Sequence, residues 1–192
     1  MSVTVGILTV SDRAAANQYE SGDLSGPAVE QSIMQIVSSL NEEKTADRDL
    51  VACTVTEKTI VPDDSNIITQ TLLSWCQTPN AMDEDNDDNN HKTANGPPDL
   101  VFTTGGTGFA PRDVTPEATR KALDREMRGL VEWAQAECAV IQPLATLSRG
   151  TAGICGKTIV VNLPGNPNGV GQVLGILFPL LLHAVEDLRG GS

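Results

Sequence analysis

The chain has 192 residues, with 25 acidic against 13 basic side chains and a net charge of −12. That length is one ordinary domain, and 40% hydrophobic residues support a core, which excludes disorder throughout. The acidity argues against a protein that coats nucleic acid, which needs a basic face, while an anionic small substrate stays admissible. Aromatics at 3% make the core aliphatic.

Residues 3–10 form a β-rich apolar run and predict a buried strand. Residues 27–40 place Ala28, Val29, Ile33, Ile36, Val37 and Leu40 at helical spacing. Residues 50–61 are β-branched and predict a second strand. Residues 63–77 return to the helical pattern through Ile67, Ile68, Leu72 and Leu73. A short buried strand follows at 100–104 and ends in glycines. Helices are expected over 116–123 and 127–141, a strand over 158–163 and a long final helix over 167–188. The rhythm β-α-β-α-β-α-α-β-α predicts a three-layer α/β/α domain with a mostly parallel sheet. In such sheets ligands bind at the carboxyl ends of the strands.

Residues 78–98 break the rhythm with Asp, Asn, Pro and Gly. They are read as a disordered or flexible acidic insertion in a single domain over 1–192. Five of the negative charges fall there, on Asp83, Glu84, Asp85, Asp87 and Asp88. A calcium loop starting at Asp83 fails, because Asp88 stands where glycine is needed and Ala94 where a bidentate glutamate belongs.

Cys53, Cys76, Cys138 and Cys155 have no C-x-x-C spacing and read as reduced structural thiols. The two histidines, His91 and His183, offer little for base catalysis or a zinc site. The N-terminal residues lack a signal-peptide pattern. The most apolar run, 173–182, is too short to span a bilayer and contains Pro179. A cytoplasmic protein without membrane association is the expectation.

The chemistry concentrates in Thr103-Thr104-Gly105-Gly106-Thr107-Gly108-Phe109-Ala110-Pro111-Arg112-Asp113-Val114-Thr115-Pro116-Glu117. A strand enters a loop with three glycines and leaves into a helix. Gly105, Gly106 and Gly108 let backbone N–H groups approach an anion. Thr115 is expected as N-cap with Pro116 opening the helix. Arg112 offers a cation for phosphate and Asp113 an oxygen ligand for a metal. The dinucleotide fingerprint fails because Pro111 replaces its third glycine. Gly156-Lys157-Thr158 fails as a Walker loop, because Thr151 replaces the first glycine and a strand follows.

Three further strand ends are polar helix starts. Ser11-Asp12 leads to Ser25-Gly26-Pro27, Pro62-Asp63-Asp64 starts another helix, and Asn162-Leu163-Pro164-Gly165-Asn166-Pro167 starts the last. Capping is expected of Asp63 and Asn166. Four such starts along one sheet edge would form a continuous cleft. Leu147-Ser148-Arg149-Gly150 adds a hydroxyl and a guanidinium. Ser148 suits a phosphate or metal-shell ligand better than a nucleophile, since no histidine base is in prospect.

In this order the motifs resemble the molybdopterin adenylyltransferase family, which includes MogA-like bacterial proteins and the G domains of gephyrin and of the plant molybdenum-insertion protein. The matching elements are Leu8-Thr9-Val10-Ser11-Asp12, Ser25-Gly26-Pro27, Val61-Pro62-Asp63, residues 104–116, Leu147-Ser148-Arg149 and residues 162–167. The resemblance implies a molybdopterin-binding-like fold. It implies transfer of AMP from Mg-ATP to the terminal phosphate of molybdopterin, with release of pyrophosphate. It places Asp63, Thr107, Asp113 and Ser148 in catalysis, with Asp63 and Asp113 on Mg2+. Gly105, Gly106, Gly108, Arg112, Pro164, Gly165 and Asn166 would meet the nucleotide phosphates, and Ser11, Asp12, Ser25 and Gly26 the molybdopterin. A homotrimer and a molybdate-inserting partner domain are also implied. One departure is Asp23-Leu24-Ser25-Gly26, where the family often has Asp-Arg-Ser-Gly. A non-catalytic molybdopterin-binding or scaffold module is the alternative, and a relative acting on another nucleotide or pterin is a weaker third.

Overall fold

A computed structural model describes residues 1–16, 23–43, 50–76 and 96–190. The expected insertion lies outside the described residues apart from its last three positions, and so does His91. In chain order the elements are β1 (Ser2–Val10), α1 (Asp12–Ala15), α2 (Ser25–Glu42), β2 (Ala52–Val61), α3 (Ser65–Cys76), β3 (Leu100–Thr104) and α4 (Thr115–Ala122). They continue with β4 (Arg125–Glu126), α5 (Arg128–Ile141), a 3₁₀ turn (Pro143–Leu147), β5 (Ala152–Cys155), β6 (Thr158–Leu163) and α6 (Pro167–Leu188).

The sheet runs β2-β1-β3-β6-β5-β4. The first four strands are mutually parallel, and β5 and β4 add an antiparallel edge. Alternation along the strands divides the core into two. Val3, Val5 and Ile7 of β1, with Leu100, Phe102, Ile159, Val161 and Leu163, meet α2, α5 and α6. Leu8, Val10, Val101 and Val160 face α3 and α4. Both faces are covered, as expected when parallel strands carry near-continuous apolar runs.

The β4–β5 edge has no strong sequence signal. β4 is two residues long, and β5 reads Ala-Gly-Ile-Cys. It forms because Gly153 has no side chain, since a Cβ there would collide with the Arg125 carbonyl.

Several helix starts differ from expectation. α2 opens at Ser25, because the Asp23 carboxylate accepts the N–H groups of Ser25 (2.9 Å) and Gly26 (3.2 Å). α3 is capped by Asp64, which accepts from Asn66 (2.8 Å) and Ile67 (3.0 Å), so Asp63 is not the cap. Thr115 is the first residue of α4 and not its N-cap, since its hydroxyl donates to the Gly105 carbonyl at 2.9 Å. Asn166 does cap α6, accepting from the Asn168 N–H at 3.0 Å.

α6 is long and apolar enough to cross a membrane by length and composition. Its apolar stripe of Val170, Leu174, Leu177, Phe178, Leu181 and Val185 is committed to the core. All four cysteines are free thiols; Cys76, Cys138 and Cys155 are buried, and Cys53 is half-buried.

Phe102 sits at the centre of β3, fully buried, with its ring 6.5 Å from that of Phe178. Phe102→Ala is expected to destabilise the protein by about 3–5 kcal/mol, combining lost transfer energy with a cavity. Met34→Ala, at a position 61% exposed on α2, should change stability by less than about 0.5 kcal/mol. Urea unfolding of both variants checks the contrast.

Candidate active site

The parallel order brings the carboxyl ends of β2, β1, β3 and β6 to one edge. The β3–α4 loop ties them together. Gly105 and Gly106 have φ of 96° and 62°, in the left-handed region that glycine adopts freely. A Cβ at Gly105 would strike the Val10 carbonyl at the end of β1, and one at Gly106 would strike the Thr115 hydroxyl. The Thr104 hydroxyl donates to the Pro164 carbonyl at 2.8 Å, joining β3 to the end of β6. A Cβ at Gly165 would stand 3.3 Å from the Gly105 Cα.

Beyond these ties the loop exposes donors. The N–H groups of Gly106, Thr107 and Gly108 have no acceptor among the described residues. Consecutive unpaired backbone N–H groups form a concavity that attracts anions. Thr107 is buried, and its hydroxyl makes no hydrogen bond among the described residues. Arg112 is exposed, and its guanidinium makes no hydrogen bond to them. Asp113 folds back on the loop, accepting the Ala110 N–H at 2.9 Å on Oδ2.

Asp12 and Asp63 exchange bonds across the ends of β1 and β2. The Asp12 N–H donates to Asp63 Oδ2 and the Asp63 N–H to Asp12 Oδ1, both at 2.9 Å. Asp63 Oδ1 is left facing the glycine loop, 3.0 Å from where a Gly106 Cβ would stand. The Asp63 carboxyl is raised above its ordinary value, chiefly by burial. The Asp12 N–H opposes that shift, the Asp12 charge adds to it, Arg112 opposes it and Asp113 adds to it. Among the described residues no three His, Cys, Asp or Glu side chains converge as a ligand set. Magnesium does not need three, because it is held by one or two carboxylates and completes its shell with water and substrate phosphates. An oxygen of Asp63 open toward the loop, with Asp113 within electrostatic reach, fits such an ion.

A cavity of about 390 Å³ adjoins this edge, between α5, the 3₁₀ turn, α6 and the end of β6. Ser148, Asn162, Pro164 and Asn166 line it, with Gln135 and Gln172 among its polar groups. The Ser148 carbonyl accepts from the Gln135 side chain. Ser148, Pro164 and Asn166 therefore share the cavity, while Asp12, Asp63, Gly105 and Gly106 meet at the strand ends. Thr107, Gly108, Arg112 and Asp113 belong to the loop, and Gly165 lies against Gly105.

Ser11, Ser25 and Gly26 stand apart. The Ser11 hydroxyl accepts the Ala14 N–H at 3.3 Å as the cap of α1. The Ser25 hydroxyl donates to Asp23 Oδ1 at 3.0 Å, and the N–H groups of Ser25 and Gly26 also point to Asp23. Asp23 in turn accepts from the Thr9 hydroxyl at 2.8 Å. The sequence marks Arg149 as an available guanidinium without giving its partners, assigns no role to Asp23 and does not point to Gln135. Asp23 precedes a helix by two residues and was a legible capping candidate; Gln135, on the exposed-looking side of an amphipathic helix, gave no such signal.

Similarity to other proteins agrees with this geometry. The chain is 36% identical over 185 residues to the Drosophila melanogaster molybdenum cofactor synthesis protein cinnamon, covering 96% of this chain and 25% of that protein. It is 31% identical over 189 residues to the molybdopterin adenylyltransferase of Helicobacter pylori, covering 98% of this chain and 89% of that one. The chain thus spans a quarter of the fly protein and most of the bacterial one. A solved molybdopterin biosynthesis protein from Mycobacterium abscessus superposes with a TM-score of 0.74 at 30% identity, covering 98% and 97% of the two chains. The profile of the probable molybdopterin binding domain matches residues 6–183, and the chain belongs to that family.

Proposed function

We propose that this protein is a molybdopterin adenylyltransferase of molybdenum cofactor biosynthesis. It transfers AMP from Mg-ATP to the terminal phosphate of molybdopterin and releases pyrophosphate. The observation that carries this reading is the row of Gly106, Thr107 and Gly108 N–H groups without acceptors among the described residues, with Asp63 Oδ1 3.0 Å from where a Gly106 Cβ would stand and a cavity of about 390 Å³ adjoining the same sheet edge. Anion donors and a metal-competent carboxylate at one sheet edge suit a polyphosphate.

The reaction needs positioning and charge neutralisation more than an acid–base pair. A phosphate oxygen of molybdopterin attacks the α-phosphorus in line, and the bond to the bridging oxygen of pyrophosphate breaks. The attacking phosphate is already ionised near neutral pH, so no histidine is required. Asp63 and Asp113 would hold magnesium, which supplies charge neutralisation to the phosphates. Arg112 and the loop N–H groups stabilise charge developing on the leaving group. Thr107 and Ser148 orient phosphate oxygens, while Pro164, Gly165 and Asn166 form the wall toward the nucleotide. Ser11, Asp12, Ser25 and Gly26 are assigned to the molybdopterin side, with the N–H groups of Ser25 and Gly26 held by Asp23.

Residues 1–192 are read as one domain acting in the cytoplasm. Val140, Ile141, Leu144 and Leu147 form an exposed apolar run at the end of α5 and the 3₁₀ turn. Such a run supports self-association, and we assign it to a homotrimer that also meets a molybdate-inserting partner domain. Sedimentation of Val140→Asp/Ile141→Asp is expected to give a monomer where the unaltered protein is a trimer.

Incubation with Mg-ATP and molybdopterin, following adenylylated product and pyrophosphate, tests the activity. Turnover is expected, and its absence where a bacterial adenylyltransferase is active refutes the reading. Molybdopterin binding without ATP dependence would establish the scaffold alternative.

Asp63→Asn gives a second, opposite-signed expectation. Because burial raises the Asp63 carboxyl, the folded state holds that proton more tightly than the unfolded chain does. The ionised form therefore opposes folding at neutral pH, and that penalty fades as pH falls through the raised folded value and is gone below the ordinary carboxylate value of about 4. Asp63→Asn keeps an acceptor for the Asp12 N–H and removes the charge. It should lose most turnover and yet melt higher than wild type at pH 7, with the difference closing toward pH 4. A lower melting temperature at pH 7 would contradict the electrostatic assignment.

A further inference from the structure

The side chain of Arg149 runs along the glycine loop and bonds to the loop's own groups. Its Nε donates to the Gly108 carbonyl at 2.7 Å and its Nη2 to the Asp113 carbonyl at 2.5 Å. Its Nη1 pairs with the Glu117 carboxylate in the first turn of α4. The Arg149 backbone N–H donates to the Thr107 carbonyl at 2.9 Å. One planar group thus holds both ends of the turn that carries Arg112 and Asp113. Those ends are five residues apart in sequence, and a chain segment of that length has many alternative closures. Immediately before Arg149, Ser148 lines the cavity, and its carbonyl is fixed by Gln135 on α5. Residues 148 and 149 therefore span from the cavity wall to the phosphate loop.

Three acceptors reached in one plane demand a guanidinium. A lysine ammonium is a single point charge and cannot satisfy all three in the same geometry. Three of the five guanidinium N–H groups are committed to protein acceptors, which fixes Arg149 to the loop and assigns contact with a substrate phosphate to another cation. That task falls to Arg112, which makes no hydrogen bond among the described residues.

We infer that Arg149 is a positioning residue for the reaction, holding the loop over residues 107–113 in register with Asp63 and with the cavity that contains Ser148. The inference rests on the adenylyltransferase reading for its kinetic consequence, though not for its structural one. Misplacing reacting groups by about 1 Å is worth roughly a hundredfold in rate. Arg149→Lys is therefore expected to lower kcat by about a hundredfold, with KM for Mg-ATP changed by less than about threefold, the pattern of lost positioning and not of lost ground-state binding. In Arg149→Ala, added guanidinium ion at millimolar concentration should restore at least about tenfold of the lost rate by refilling the site that connects Gly108, Asp113 and Glu117.

Hydrogen–deuterium exchange on the substrate-free proteins supplies the readout that needs no turnover. The hydrogen-bonded loop amides of Ala110 and Asp113 should exchange faster in Arg149→Lys, while those of β3 stay protected. A KM effect with kcat unchanged would overturn the inference in favour of direct substrate binding. Unchanged loop exchange together with unchanged kcat would overturn it outright. If the unaltered protein shows no adenylyl transfer at all, the functional reading fails, and the exchange comparison still decides whether Arg149 holds the loop. The lysine variant, which keeps the charge and the aliphatic stem, serves where the alanine variant does not fold.

Discussion

The close approach of the β3–α4 loop to the neighbouring strand ends is the constraint on which the site depends. Gly105 lies against the Val10 carbonyl with no room for a Cβ, and Gly165 lies against Gly105. Any side chain at Gly105 would push the loop away from β1, and with it the Thr104 bond to Pro164. The same displacement would separate Gly106 from Asp63. A positive φ and a steric limit coincide at this residue, so glycine is required there on two independent grounds. The loop N–H groups, the Asp12–Asp63 exchange and the residues leading into the cavity then fall at one sheet edge because β1, β2, β3 and β6 are parallel neighbours.

Much of this was legible in the sequence, for identifiable reasons. The central strands are short β-branched or apolar runs ended by Gly, Pro or Asp, and each of those punctuates a chain unambiguously. Residues 100–104, 158–163 and 167–188 were readable to the residue, because β3 and β6 end in a glycine or proline turn and α6 starts at a capping asparagine followed by proline. The β4–β5 edge was not readable. Its strands are two and four residues long, and their pairing depends on a long-range clearance at Gly153 that no local pattern reports. The exchange between Asp12 and Asp63 joins residues 51 apart, and Arg149 reaches Glu117 across 32. Such pairs carry no periodicity, so their residue types were readable as polar and their partners were not.

Electrostatics in the cleft run against the interest of stability alone. Burial raises Asp63 above the ordinary carboxylate value, and two further carboxylates stand within reach of it. Placing like charges together is unfavourable until a cation arrives. The net charge of −12 is thus no obstacle to anionic substrates, because a divalent ion on one carboxylate inverts the local sign. Arg112 contributes in the same sense, its charge lowering the Asp63 carboxyl. The charges of Asp12 and Asp113 both raise the Asp63 carboxyl, a like-charge arrangement that a bound cation would relieve.

The helix starts show how the fold selects where an anion binds. Along the sheet edge four helices of two turns or more begin, and each N-terminus offers unpaired N–H groups and a partial positive charge. At α2 the Asp23 carboxylate already accepts those groups, at α3 Asp64 does, and at α6 the Asn166 amide oxygen does. Only at α4 among these four is there no side-chain cap, and there the preceding loop carries the row of unpaired N–H groups. Three potential anion sites are thus closed by the protein's own side chains and one is left open. A carboxylate tethered two residues away competes with a free ligand at high effective concentration, so closure at α2 and α3 is strong without any steric block. Selectivity for where a phosphate settles then follows from occupancy of equivalent donors, and the glycine loop gains its role partly because its rivals are filled.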